Sequence, residues 1–422
     1  MTDRLKHKFK LWLFALFCLC ACWSAVAHAG DDTTVEKVYD KLLAGKEPVK
    51  VVCFGDSVTG VYYHTGSRRA YTDMLEIALE RTFPQASITA INAGISGHTT
   101  RHALARIERD VLAHEPDLVT IMFGLNDMVG IPLDEYQKNL IEIIKRCRDI
   151  GAEVLLCTPN SVTDTSGRPT NKLERYVAAV RGVGKSKNVP VVDCYRAFQA
   201  VRAKEAFEWF LLMSDEIHPN MDGHKKIADE IARAVSAGAV SVRDVPPPQP
   251  AILRTLERLN KQQPVRVYAM PPFDKLIAPV LKHLDSSAQV EVTTWPTAGQ
   301  TLADLEQASK GVRKMGVDLV LIAAPAAVSP EKSETSVRSF TWTMNWSLNF
   351  GPPTWDCVVI SPAVVQPDLN GDDTDRSQLI TRLVRAQDLS LIKREPNDNS
   401  PPKKLLVDWL RSQFALAKAA DR

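Results

Sequence analysis

The stretch that decides the fold runs from Val49 to Ser57 and reads VKVVCFGDS. A β-branched, apolar run ends there abruptly in glycine, aspartate and serine, and a helix-prone stretch follows. Buried parallel strands have this composition, and ligands of α/β proteins bind beyond the carboxyl ends of such strands. The stretch therefore predicts a first strand with Ser57 at the mouth of a sheet. There, Ser57 is either a nucleophile or the N-cap of the next helix.

Apolar runs and amphipathic stretches alternate along the chain as far as residue 237. Strands are predicted at 49–54, 86–91, 117–123, 152–157 and 189–193, and helices at 34–43, 71–84, 99–113, 133–151, 170–187 and 222–237. This alternation predicts a parallel sheet with helices on both faces. Five strands predict a flavodoxin-like, three-layer α/β/α fold. Polar motifs follow strands one, two and three, so they are expected on one rim of the sheet.

A proline-rich segment at 244–250 breaks this alternation and predicts a stiff linker between two domains. We expect a catalytic domain over residues 30–243 and a second α/β domain over 251–422. The second domain repeats the first in pattern: 264–268 matches 48–52, 290–302 matches 88–104, and 316–322 matches the third strand. Residues 355–362 match 154–159, and the predicted helix 403–417 matches 225–237. The pattern predicts a degenerate copy of the first fold.

The polar motifs are missing from this second copy. Pro271-Pro272-Phe273 stands where Gly-Asp-Ser is expected, and Ala327 stands where Asn126 is expected. The register gives Lys393 and Pro396 in place of Asp215 and His218. We therefore expect the second domain to lack catalytic residues.

The first 29 residues predict a cleaved signal peptide. Basic residues at positions 4, 6, 8 and 10 precede an apolar run over 11–22, and Ala27-His28-Ala29 fits a small-x-small cleavage pattern. The apolar run is shorter than the ~20 residues of a spanning helix, which favours cleavage over an uncleaved anchor. Residues 19–22, LCAC, also loosely resemble a bacterial lipoprotein signal. We expect an exported chain, periplasmic or secreted, that begins near Gly30 and has no membrane span.

Composition excludes several function classes. The net charge of +2 gives no basic footprint for nucleic acid. Five cysteines remain after residue 29, and an odd number argues against a complete disulfide framework. The sequence contains no CxxC pair and no His/Cys cluster that would predict a metal site. It also contains no motif that would predict an organic cofactor.

Four separated features carry the candidate chemistry: Ser57, Gly97, Asn126 and the pair Asp215 and His218. Each has an ordinary structural explanation when taken singly, such as a turn, a helix cap or a surface loop. Together on one rim they fit acyl transfer to serine. A serine hydroxyl is a weak nucleophile until a base takes its proton, and His218 is the natural base. Asp215, three residues earlier, can orient the His218 ring.

These blocks resemble the GDSL, or SGNH, hydrolase family over about residues 48–238. That family has serine in a Gly-Asp-Ser block, a glycine, asparagine in Gly-x-Asn-Asp and histidine in Asp-x-x-His. This chain carries GDS at 55–57, SG at 96–97, GLND at 124–127 and DEIH at 215–218, in that order. The resemblance implies a triad of Ser57, His218 and Asp215. It implies an oxyanion hole from the backbone N–H groups of Ser57 and Gly97 and the amide of Asn126.

The function implied is a serine ester hydrolase acting through an acyl-enzyme on a small-molecule or glycan ester, with acetyl esters of carbohydrates favoured. Lysophospholipase or thioesterase activity, acyl transfer to a sugar, and a non-catalytic glycan- or envelope-binding protein remain alternatives. Residues 62–64, 68 and 69, YYH and RR, either line a pocket or form a polar surface loop. Trp342, Trp346, Phe350 and Trp355 either pack as core, form a glycan-contacting face or cover the rim.

Overall fold

Two five-stranded parallel sheets form the core of the computed structural model, which describes residues 35–236, 238, 241–370 and 374–420. The predicted signal peptide and its lipoprotein alternative lie outside these residues. Everything from Val35 onward clusters into one compact unit. Within the described ranges, no helix is long and apolar enough to cross a membrane.

The first sheet has the order β2-β1-β3-β4-β5, and every pairing is parallel. Its strands are β1 Val49–Gly55, β2 Ile88–Gly94, β3 Leu118–Met122, β4 Glu153–Cys157 and β5 Val191–Val192. Its α-helices are Glu36–Ala44, Tyr71–Thr82, Thr100–Asp110, Asp127–Gly130, Leu133–Asp149, Thr170–Lys187, Cys194–Lys204, Ala206–Phe210 and Met221–Ser236. This arrangement confirms the flavodoxin-like fold predicted from the sequence.

Three local expectations are corrected by the structure. No α-helix follows β1 directly, because the next one begins only at Tyr71, and Ser57 is therefore not a helix N-cap. β2 lies later than predicted, since its pairing with β1 continues to Gly94. β5 is only two residues long, because Pro190 has no N–H to donate to a sheet.

The second sheet repeats the same topology, with the order β7-β6-β8-β9-β10. Its strands are β6 Val265–Ala269, β7 Val290–Thr294, β8 Leu319–Ile322, β9 Asp356–Ile360 and β10 Ser390–Ile392. Its α-helices are Leu253–Asn260, Phe273–Leu284, Leu302–Ser309, Glu334–Trp346, Pro362–Val365, Thr374–Ala386 and Pro402–Ala420. Both sheets thus place the first strand between the second and the third.

The repeat extends to individual hydrogen bonds at the amino-terminal ends of the strands. The Asp117 carboxylate, before β3, accepts the Lys50 N–H at 2.8 Å, and the Asp318 carboxylate, before β8, accepts the Arg266 N–H at 3.0 Å. The Glu153 carboxylate accepts the Val38 N–H at 2.8 Å in the same way.

The counterpart of Glu153 in the second half is Asp356, whose carboxylate accepts the Thr255 N–H at 2.7 Å. Each of these two acceptors lies at the start of the fourth strand of its sheet and caps the first helix of its half. Gly97 and Gly299, which follow β2 and β7, both have positive φ, at 76° and 72°. Structural anchors are therefore common to the two halves.

The chemistry at the carboxyl ends of the strands is not repeated. Phe273 begins a helix at the position that matches Ser57, and Ala327 lies in a 3₁₀ turn after β8. The expectation for Lys393 and Pro396 needs a shift in register. Counting back from the first residues of the last helices, Met221 and Pro402, the counterparts of Asp215 and His218 are Pro396 and Asn399. Pro396 and Asn399 have no ionisable side chain, so these two positions cannot supply an acid–base pair.

The proline-rich segment at 244–250 contacts the first half along its length. The backbone oxygens of Val245, Pro246 and Pro250 accept hydrogen bonds from Lys225, Arg69 and Arg68, at 2.7, 2.7 and 3.2 Å. A domain boundary at this segment stays a prediction. The five described cysteines, Cys53, Cys147, Cys157, Cys194 and Cys357, are buried free thiols.

Candidate active site

The turn after β1 presents Ser57. The N–H groups of Thr59 and Gly60 donate to the Asp56 backbone oxygen at 3.2 and 3.0 Å, and the Val58 N–H donates to the Asp56 carboxylate at 2.9 Å. A Cβ on Gly55 would lie 2.7 Å from the Met122 backbone oxygen, so the strand end requires glycine. Asp56 is buried under the turn while Ser57 stays half-buried. Asp56 thus shapes the turn, and burial raises its pKa to about 6.

Hydrogen bonds link the side chains of Ser57, His218 and Asp215 in series. Ser57 Oγ is 2.8 Å from His218 Nε2, and His218 Nδ1 is 2.9 Å from Asp215 Oδ2. Asp215 Oδ1 also accepts the backbone N–H groups of Ile217 and His218, at 2.8 and 2.7 Å. These two bonds fix the carboxylate on its own loop. The structure therefore brings together the three residues that the sequence predicted as a triad.

The electrostatics of the pair favour a charged carboxylate and a basic imidazole. Asp215 is buried and His218 is partly buried, and burial alone would raise the pKa of Asp215 and lower that of His218. Their mutual attraction and hydrogen bond outweigh burial. The pKa of Asp215 is lowered far below its ordinary range, and the pKa of His218 is raised. The raised pKa makes His218 a stronger base toward the proton that Ser57 loses as it attacks a carbonyl.

A second histidine lies against the first. The rings of His64 and His218 are stacked, with centroids 4.0 Å apart and planes at 19°. His64 is buried, and burial first, then the nearby His218, lowers its pKa well below the ordinary value, so it is neutral. A neutral stacked ring confines the His218 ring without competing for the charge of Asp215.

The second half of the chain supports this histidine. Ser214 Oγ lies 3.1 Å from His64 Nδ1, and it receives Asn345 Nδ2 at 3.0 Å and Gln387 Nε2 at 3.5 Å. Asn345 and Gln387 are buried and belong to the second half. Ser214 immediately precedes Asp215, so residues of both halves position the Asp215–His218 loop.

The predicted oxyanion donors surround the same serine. Gly97 has φ 76° with open space around its Cα, so backbone conformation, not crowding, requires glycine there. The backbone N–H groups of Ser57 and Gly97 make no hydrogen bond to another described residue. Asn126 Nδ2 lies 3.1 Å from the His98 oxygen and 3.4 Å from Asp56 Oδ2. The Asn126 amide is thus at the site, but it must leave one of these acceptors to bind an oxyanion.

Comparison with known proteins places this arrangement in a family. The family model of the GDSL-like Lipase/Acylhydrolase family matches residues 53–226. An arylesterase of Vibrio mimicus is 33% identical over 195 residues, which cover 45% of this chain and 90% of that protein. The chain belongs to the GDSL-like lipase/acylhydrolase family. It is an esterase of the GDSL/SGNH type.

Other relatives match a similar share of the chain. An acetylxylan esterase of Geobacillus stearothermophilus is 28% identical over 211 residues, covering 44% of this chain and 93% of that protein. A solved structure of an acetylxylan esterase from Geobacillus stearothermophilus is 28% identical, covers 44% of this chain and 94% of that chain, and has a TM-score of 0.40.

Arg168 is a residue of this GDSL-type site that the sequence did not reveal. Its guanidinium donates to Asn126 Oδ1 at 3.3 Å. This bond holds the oxygen of the Asn126 amide away from the reacting centre and leaves the NH₂ end for donation. Arg168 lies in a polar loop, 42 residues from Asn126, and no spacing rule connects the two positions.

Residues 62–64, 68 and 69, for which the sequence left a pocket lining or a surface loop open, divide into two groups. Arg69 pairs with the buried Asp388 carboxylate at 2.7 Å, and Arg68 lies 3.4 Å from the buried Asp356 carboxylate. Both arginines bind the second half, because buried carboxylates need cationic partners. His64 supports the base, while Tyr62 and Tyr63 lie at the rim.

The geometry does not suit a metal at this family site. His64, Asp215 and His218 have candidate ligand atoms within 4.8 Å of one another, the one such group among the described residues. The lone pairs of an imidazole lie in the plane of its ring. Two stacked, nearly parallel rings cannot both direct these lone pairs at one ion. The same nitrogens bind Ser57, Asp215 and Ser214 instead.

Asn126→Ala tests the neutral oxyanion donor. We expect kcat to fall by about 10²- to 10³-fold with little change in KM, because the lost hydrogen bond strengthens only as charge develops. The measurement is steady-state hydrolysis of p-nitrophenyl acetate. Asn139→Ala is the matched control, since the Asn139 amide donates to Thr100 Oγ1 on a neighbouring helix. A folded Asn126→Ala enzyme with wild-type kcat would remove Asn126 from the oxyanion hole.

Proposed function

We propose that Ser57, His218 and Asp215 hydrolyse esters through an acyl-enzyme, and that the preferred substrates are acetyl esters of carbohydrates. The observation that carries this proposal is the 2.8 Å contact between Ser57 Oγ and His218 Nε2, in line with Asp215. This is the arrangement that activates a serine hydroxyl.

Acylation begins when Ser57 Oγ attacks the ester carbonyl and its proton passes to His218 Nε2. The negative charge of Asp215 stabilises the imidazolium that forms. The N–H groups of Ser57, Gly97 and Asn126 donate to the carbonyl oxygen as it becomes an oxyanion. When the intermediate collapses, the C–O bond to the alcohol breaks and His218 returns the proton to the leaving oxygen.

Deacylation repeats these steps with water in place of serine. His218 takes a proton from water, the resulting hydroxide attacks the acyl carbon, and the Ser57 ester bond breaks. His218 then protonates Ser57 Oγ, and the carboxylic acid leaves. The enzyme returns to its starting protonation state without any cofactor in the cycle.

The proposed substrate class rests on the relatives and on the predicted location of the enzyme. The matched relative from Geobacillus stearothermophilus is named an acetylxylan esterase, and the match covers 93% of its length. Export after cleavage near Ala29 is part of the proposal, and it would bring the enzyme to extracellular carbohydrate. The basic residues at positions 4–10 and the apolar run 11–22 support export. The amino-terminal sequence of the chain recovered from its host tests this cleavage.

A substrate panel tests the proposed function. The mature enzyme is assayed on p-nitrophenyl esters from acetate to decanoate and on acetylated xylo-oligosaccharides. We expect kcat/KM to be highest for acetate and to fall with chain length, with acetate released from the sugar. A preference for decanoate would favour a lysophospholipase or thioesterase. Acetyl transfer to an added sugar at the expense of hydrolysis would identify an acyltransferase.

A further inference from the structure

We infer that the second half supplies a carbohydrate-binding face to the active site, formed by Phe350 and Trp342 together with Tyr62 and Tyr63. This aromatic face would hold the sugar that carries the scissile ester. The inference rests on the proposed function and adds a binding subsite from the half of the chain that lacks catalytic residues.

One series of contacts leads from the oxyanion loop to this face. The Ser96 N–H donates to the Tyr62 hydroxyl at 2.8 Å, so the Tyr62 ring is fixed next to Gly97. The Phe350 ring lies against Tyr62 with centroids 5.0 Å apart and planes at 47°. Phe350 is 54% exposed, while Tyr62 is partly buried. An exposed ring therefore lies one ring away from the loop that binds the oxyanion.

A second series leads from the catalytic base to the same ring. His64, stacked on His218, lies 4.0 Å from the Tyr63 ring. Tyr63 in turn contacts Trp342 and Phe350, each with centroids 6.0 Å apart. Phe350 thus contacts both tyrosines and completes an aromatic cluster that reaches the oxyanion loop through Tyr62 and the catalytic base through His64.

The loop that carries Phe350 is held in place on both sides. The Arg313 guanidinium stacks on Tyr63 and Trp346, at 4.8 and 4.7 Å from the ring centroids. It also donates to the backbone oxygen of Leu348 at 2.9 Å. Ser67 Oγ donates to the backbone oxygen of the neighbouring Asn349 at 2.7 Å. Phe350 is not an isolated exposed side chain, because it continues a cluster of aromatic rings, and contiguous exposed apolar patches of this kind mark binding surfaces.

The chemistry of this face fits a sugar ring. A pyranose offers a flat C–H surface bordered by hydroxyl groups, and aromatic rings with polar tips match both features. The Tyr63 hydroxyl makes no hydrogen bond to another described residue, and burial raises the pKa of Tyr63 to about 12. It therefore remains a protonated donor. A long acyl chain would instead require an enclosed apolar groove, whereas Phe350 faces solvent.

Phe350→Ala separates sugar recognition from catalysis. Acetylated xylotriose is the probe, and ethyl acetate is the substrate with a small alcohol. We expect kcat/KM for the sugar ester to fall by about 3- to 10-fold, mainly through KM, which is the usual contribution of one ring contact. Hydrolysis of ethyl acetate should stay at the wild-type rate. Phe350→Trp should retain sugar-ester activity. Leu253→Ala removes another apolar side chain, one that is 52% exposed, and should leave kcat/KM unchanged for both substrates.

The outcomes distinguish this inference from the proposed function. A folded wild-type enzyme that hydrolyses neither ester would contradict the proposed function itself. If wild type hydrolyses both and Phe350→Ala lowers both equally, the ring has only a structural role and the subsite is rejected. A loss confined to p-nitrophenyl decanoate, with the sugar ester unchanged, would also reject it and assign the face to acyl chains.

Discussion

Replacing Ser57 by alanine is expected to abolish ester hydrolysis, with kcat reduced by about 10⁵- to 10⁶-fold. The acyl-enzyme cannot form without Oγ, and the remaining oxyanion donors can only assist direct attack by water. The fold should not suffer, because Ser57 is half-buried and the one hydrogen-bond partner of its hydroxyl among the described residues is His218 Nε2. Thermal unfolding of the variant is therefore expected near the wild-type midpoint.

The measurement uses p-nitrophenyl acetate at saturating concentration, with mass spectrometry of the quenched wild-type enzyme to detect an acetyl group on the peptide that contains Ser57. Ser186→Ala is the matched control, since its hydroxyl donates only to the Val183 backbone oxygen within a helix. Substantial activity in folded Ser57→Ala protein would show that another group is the nucleophile, and the proposed mechanism would fail.

Much of the site could be predicted from the sequence because its parts follow strands with clear patterns. Ser57 follows a continuous apolar run, and parallel strands must end on the same rim, so Gly97 and Asn126 were expected beside it. The Asp215–His218 pair needed only local geometry. These residues were identified by position along the chain together with their chemistry.

The supporting residues could not be predicted, because they meet across long separations. His64 and Ser214 are 150 residues apart, and Asn345 and Ser214 are 131 residues apart. No periodicity or spacing rule connects such positions. The same reason applies to Arg68 and Arg69: both lie near the nucleophile in sequence, but their partners are buried carboxylates of the second half, far along the chain.

The second half therefore has a structural basis for its retention in spite of its missing chemistry. Its buried Asn345 and Gln387 contact Ser214, and its Asp388 binds Arg69. Both contacts reach segments adjacent to catalytic residues: 62–69 follows the nucleophile turn, and Ser214 precedes Asp215. The second sheet, which has the same topology as the first, thus belongs to a part of the chain that helps to position the candidate active site.

Asp215→Asn is expected to lower kcat by about 10⁴-fold through the tautomer of His218. Asp215 Oδ1 accepts two backbone N–H groups, at 2.8 and 2.7 Å, and only an oxygen can remain there. The amide nitrogen of asparagine must then occupy the place of Oδ2, which lies 2.9 Å from His218 Nδ1. It would donate to Nδ1, leave the proton on Nε2, and so prevent His218 from accepting the proton of Ser57.

The pH profile supplies an independent signature of the same pair. A general base acts when neutral, and Asp215 raises the pKa of His218, so wild-type kcat/KM should increase with pH through a midpoint above 6.5. Asp215→Asn removes the negative charge that raises the pKa of His218. The burial of His218 remains, and burial lowers the pKa of a histidine. The midpoint of the residual activity should therefore fall below the wild-type midpoint, measured between about pH 5 and pH 9. An unchanged midpoint in folded Asp215→Asn would show that Asp215 does not set the basicity of His218. The control is Asp149→Asn, a change at an exposed carboxylate, which should retain the wild-type pH profile.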